Sequence, residues 1–122
     1  MPGVGNTRFV SMSGFVTDEQ RGAIFNATAY PYVTAFVSGA GTINAGKVSF
    51  EEADYEPDSP EYAGTWSLLP SSYDVTASSL TGGKQQAVHF PLAKYRAIRP
   101  FIETAIGGGG SVSVVFVGMG PS

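Results

Sequence analysis

Six of the chain's ten acidic residues fall within eleven positions, Glu51, Glu52, Asp54, Glu56, Asp58 and Glu61, and crowded carboxylates are the raw material of two chemistries. Hard cations such as calcium take several carboxylate oxygens from a loop able to wrap them, but this spacing does not match an EF-hand loop, which needs a glycine at its sixth position and a bidentate glutamate at its twelfth. Glycoside hydrolysis needs an acid and a base or nucleophile facing each other across a cleft, whereas strand neighbours such as Glu51 and Glu52 point to opposite faces. A solvated acidic loop is the simpler reading, and no metal ligand set is assigned.

Other chemistry-bearing residues are sparse. The sole histidine, His89, lies in Ala-Val-His-Phe-Pro-Leu. Period-two alternation there sets it with Ala87 and Pro91 and opposite Val88, Phe90 and Leu92, on the wetter face of a strand. A Ser-His-Asp triad would need this one residue as its base, and no Gly-x-Ser-x-Gly elbow accompanies it. The four glycines at 107–110 lead into Ser-Val-Ser-Val-Val. That is a strand and not the Gly-Lys-Ser/Thr and helix of a phosphate loop, so the glycines read as a mobile turn tip. The absence of cysteine excludes disulfides, thiolate metal sites and thiol nucleophiles. No catalytic residue and no cofactor is assigned, and the expectation is a protein that is not an enzyme.

Trp66, with Tyr62 and Tyr73 nearby, could stack on a sugar ring. In a chain with eight Phe and six Tyr the same residues serve as core or interface aromatics. Charge is segregated, with the acidic run followed by Lys84, Lys94, Arg96 and Arg99, four of the seven basic residues. Such segregation either orients contacts between molecules or closes up as internal ion pairs, and both remain open. The net charge of −3 argues against sequence-independent nucleic-acid binding. No apolar run is long enough to span a membrane, and the first residues lack a signal-peptide pattern, so a soluble protein made in the cytoplasm and not exported by the usual route is expected.

The elements that must position these residues are strands. Gly, Pro, Ser and Thr recur too often for a helical face, and β-type runs cover 8–17, 22–30, 32–38, 42–55 with a break near Gly46, 65–69, 73–75 and 84–92. Val48 and Phe50 alternate with Lys47, Ser49 and Glu51, giving one inward and one wet face. The same alternation makes Ile98, Ile102, Val112, Val114 and Phe116 inward residues. About eight strands without helical crossovers predict an all-β fold, an antiparallel β-sandwich of the jelly-roll kind. It would form one domain over 9–122, preceded by an arm over 1–8 in which Pro2, Gly3 and Gly5 leave no strand pattern. Only 14% of residues are charged, well below the usual quarter, which predicts a subunit that buries much of its surface in an assembly.

Residues 94–120 read Lys-Tyr-Arg-Ala-Ile-Arg-Pro-Phe-Ile-Glu-Thr-Ala-Ile, four glycines, then Ser-Val-Ser-Val-Val-Phe-Val-Gly-Met-Gly. Two β-rich runs about a flexible tip predict a closing hairpin. The Tyr-Arg-x-x-Arg strand, glycine turn and valine-rich strand resemble the C-terminal hairpin of small tailed-bacteriophage virion proteins of the capsid-decoration, or cement, type. The resemblance covers the last third of the chain. It implies a structural protein on the outer capsid surface that clamps adjacent subunits of the major capsid protein and associates with itself as a dimer or trimer. The expected contact residues are the arm with Arg8, the acidic loop around Glu56, Asp58 and Glu61, and the basic strand at Arg96 and Arg99. Two alternatives stand beside this: a carbohydrate-binding module using Trp66, Tyr62 and Tyr73, and a tail or neck component of the same virion.

Overall fold

The computed structural model describes residues 6–27, 30–53, 65–90 and 97–119. Within them lie nine strands: β1 (Asn6–Phe15), β2 (Phe25–Asn26), β3 (Tyr32–Ala40), β4 (Ala45–Ala53), β5 (Ser67–Leu68), β6 (Val75–Thr76), β7 (Gln85–Phe90), β8 (Ala97–Gly107) and β9 (Ser111–Met119). A first sheet runs β1-β9-β3-β7 and a second β2-β8-β4-β5, with β6 also paired to β4, and all pairings are antiparallel. Successive strands cross from one sheet to the other except along β4, β5 and β6, which is the jelly-roll path.

Alternation explains the core. Val33, Ala35 and Val37 of β3, Val48 and Phe50 of β4, Ile98 and Ile102 of β8, and Val112, Val114 and Phe116 of β9 are all buried between the sheets. Phe116 lies at the centre, stacked on Phe25 with ring centroids 5.0 Å apart and edge-on to Phe50 at 6.1 Å. Each large aromatic buried in this way contributes area and oriented ring contacts together.

The C-terminal hairpin does not form. β8 pairs with β4, and β9 lies between β1 and β3 in the other sheet. The glycine turn therefore bridges the two layers instead of closing a ladder. Nor is it a free tip: the Asn44 amide donates to the Gly107 carbonyl at 3.0 Å. A Cβ on Gly110 would fall 2.4 Å from the Ala40 carbonyl oxygen. The glycines are needed because the backbone of 107–110 is pressed against the β3–β4 turn, with Gly108 and Gly109 at φ 101 and 93.

Three further expectations change. The run 22–30 keeps only β2 as strand among its described residues. Upstream, residues 16–22 follow β8 irregularly, Glu19 and Gln20 exchanging main-chain bonds with Ile102 while Gly22 donates to the Pro100 carbonyl. Pro100 has no N–H to return, so a regular ladder cannot continue there. Over 73–75, Ser71–Tyr73 is a 3-10 turn and the strand is Val75–Thr76. Residues 6–8, assigned to the arm, belong to β1, with Arg8 opposite Val117.

Candidate functional site

The outward face of the second sheet carries a self-contained polar cluster, with Leu68 of β5 exposed beside it. The β4–β8 register sets Glu51 opposite Arg99, and one carboxylate oxygen, Oε1, accepts from Arg99 Nε at 2.8 Å and Arg21 Nε at 3.0 Å. Each guanidinium also lies over an aromatic ring, Arg99 over Trp66 at 3.9 Å and Arg21 over Phe101 at 4.4 Å, a stacking that suits the weakly hydrated planar cation. Beside this group the Ser49 hydroxyl donates to the Glu103 carboxylate. Lys47 Nζ lies 3.1 Å from Glu103 and 3.8 Å from Asp74. The Ser49 hydrogen bond, then Lys47, hold the Glu103 carboxyl below its ordinary pKa, and Glu103 raises the Lys47 ammonium above its own.

Ser49 and Glu51, expected on a wet face, are both buried. The reason lies in their partners, which roof the outer side of β4. Arg21, Asp74 and Glu103 are the members of this group that sequence reasoning passed over, and nothing local links Arg21 to a carboxylate thirty positions away.

This placement bears on the candidate residues. Arg99 directs its guanidinium inward at Glu51, with 19% of its side chain exposed. One face of Trp66 carries that guanidinium. The Tyr73 ring stacks on Phe90 at 5.3 Å with an interplanar angle of 3° and packs against the core. A sugar on that face of Trp66, or on the stacked face of Tyr73, would have to displace these contacts. Glu56, Asp58, Glu61, Tyr62 and Arg96 lie outside the described residues. Among the described residues no group of His, Asp and Glu is clustered to hold a metal ion.

The outward face of the first sheet has the opposite character. Its four strands contain no Asp or Glu, and Arg8 is their one formal charge. Arg8, Phe36, Ser38, Gln85, Val115 and Val117 line an open depression of about 320 Å³. Around it Val10, Tyr32 and Met119 are 49%, 59% and 45% exposed. His89 is exposed on this face, its Nδ1 3.0 Å from the Thr34 hydroxyl. The signal for this face was present in β9, where Val114, Val115, Phe116 and Val117 run without a polar break. A strand apolar on both sides has two surfaces to cover, not one.

No protein-family model matches the sequence, and no curated protein sequence matches it. Among solved structures the chain is similar to SPBc2 prophage-derived protein YomS. The identity is 13%, the alignment covers 93% of this chain and 91% of that one, and the TM-score is 0.59. At that identity the likeness shows the sandwich fold and nothing further. A weaker likeness, at 10% identity and TM-score 0.44 over 97% of this chain and 90% of the other, is to a structure of Bacillus endospore appendages that form disulfide-linked pili.

Proposed function

We propose that this chain is a phage-type structural subunit of the decoration or cement kind, laying the outer face of its first sheet on a protein shell and bridging adjacent major-capsid subunits. The observation that carries this reading is that face: free of acids, with one formal charge, apolar at Phe36, Val115 and Val117, slightly hollowed and opposite a face whose charges are paired within the chain. Contiguous exposed apolar surface on a small domain marks a place where another surface packs. The prophage origin of YomS, a protein of similar fold, supports the phage-type setting.

Mechanically, a rigid sandwich adds interface area across a subunit boundary. Repetition over a shell multiplies a modest contact into resistance to internal pressure. A tail or neck position in the virion would use the same face on a different ring of subunits.

Purified capsids incubated with the protein and separated by sedimentation provide the test. Occupancy should saturate at a fixed number of copies per capsid subunit, and absence of binding to capsids, tails and necks alike would overturn the assignment. Removing residues 1–5 tests the part given to the arm, with reduced occupancy expected at an unchanged melting temperature.

A further inference from the structure

Among the described residues the two sheets end in unequal edges. In the second sheet β2, β5 and β6 are two residues each, too short to template another strand. In the first, β1 is long, but its pairing with β9 shifts register between Val10 and Met12 and again between Met12 and Phe15. It also carries Arg8, and Gly14 sits at φ 72. Bulges and charges of this kind are how proteins blunt an edge.

β7 has no such device. Gln85–Phe90 runs in unbroken register with β3, from Ser38 opposite Gln85 to Val33 opposite Phe90, and contains no charge, proline or glycine. The Gly39 amide donates to the Lys84 carbonyl at 3.0 Å. Antiparallel alternation then turns the main-chain groups of Gln86 and Val88 toward β3 and leaves those of Gln85, Ala87 and His89 facing outward.

We propose that a second copy of this chain pairs its β7 antiparallel along this edge, about a two-fold axis at Ala87. The register is self-complementary. Ala87 faces Ala87 and Gln85 faces His89, so each outward N–H and C=O of these residues meets the group it lacks. The sum of paired positions is even, which keeps Gln85, Ala87 and His89 on one face of the joined sheet and Val88 on the other.

Charge also permits the pairing. β7 is neutral, and the two Lys84 side chains fall at opposite ends, about 20 Å apart at ~3.4 Å per residue. The joined sheet would present two copies of the floor formed by Phe36, Val115 and Val117 side by side. One strand pair buries less than a standard interface, so the dimer is weak in free solution and strengthened where a shell holds copies together. This pairing does not depend on what the outer face binds.

Sedimentation velocity on the full chain, from micromolar to millimolar and without capsids, should show a monomer–dimer equilibrium. Ala87→Pro removes an outward N–H and leaves the β3 ladder intact. Ala87→Lys sets two cations together at the axis on an exposed position. Each should raise the dissociation constant at least about tenfold. Because the chain has no cysteine, Ala87→Cys should form a disulfide-linked dimer on mild oxidation, and Thr76→Cys, exposed on the other sheet, should not. A monomer at every concentration, a trimer, a dimer unaffected by both substitutions, or equal cross-linking of the two cysteine variants would each overturn the pairing. If wild type stays monomeric yet still occupies capsids, the edge inference fails and the outer-face reading stands.

Discussion

On the outer face of the second sheet, Glu51, Glu103 and Asp74 meet Arg21, Arg99 and Lys47 within the chain. On the outer face of the first, Val10, Tyr32 and the partly exposed Phe36, Val115 and Val117 meet solvent among uncharged polar residues such as Ser38, Gln85 and His89, with Arg8 the one formal charge. Both faces come from the same two-residue alternation. The difference is that a charged face can satisfy itself by pairing across the register of β4 and β8, while an apolar face can be satisfied only by being covered. If the proposed binding face is right, polar chemistry is a poor guide to where this molecule binds, since this charged cluster is paired within the outer face of one sheet.

The largest effect should come from Glu51→Ala. Removing the one carboxylate between two partly buried guanidiniums leaves both uncompensated and should cost about 3 kcal/mol, a figure reduced for the exposure of Arg21. Urea denaturation measures it, and a loss below about 1 kcal/mol would place the cluster with ordinary surface pairs.

Val115→Asp should do the reverse. Stability should fall by no more than about 2 kcal/mol, because the side chain is partly exposed on the outer face. Capsid occupancy should fall tenfold or more, because a carboxylate would enter an apolar contact. If Val115→Asp unfolds the protein while Glu51→Ala abolishes binding, the two faces have been assigned in the wrong order.

A smaller effect lies in the pH profile. Glu103 has its pKa lowered in the folded state, so its contribution is present above the unfolded value and is lost as pH falls through the folded one. Lys47 has its pKa raised, so its contribution holds below the unfolded value and is lost as pH rises through the folded one. Glu103→Gln should flatten the acid limb of the stability curve, and Lys47→Met the alkaline limb. Unchanged limbs would show these pairs to be incidental.

Smallest of all, Arg8→Ala should alter stability by no more than about 0.5 kcal/mol, as an exposed side chain outside any ion pair among the described residues. A larger loss in thermal melts would mean that the apolar face uses this cation to hold its own strands.

Alternation is a local property, and it carried much of the fold. The inward set of Val48, Phe50, Ile98, Ile102, Val112, Val114 and Phe116, the sandwich class and the exposed position of His89 all follow from residues two apart, with no knowledge of neighbours in space. Partner choice is not local. The Gly-rich turn at 107–110 suits a hairpin and a crossing between layers equally well by composition. Only the fit of β8 beside β4 and of β9 between β1 and β3 decided for the crossing. Likewise Glu51 was legible as an acid on the polar side of a strand, but its burial came from Arg21 and Arg99, thirty and forty-eight positions away. Side-chain periodicity is written into the chain because each residue sets its own direction. Which strands lie together is decided by the closing of long loops and the packing of two sheets, and those exist only once the chain has folded.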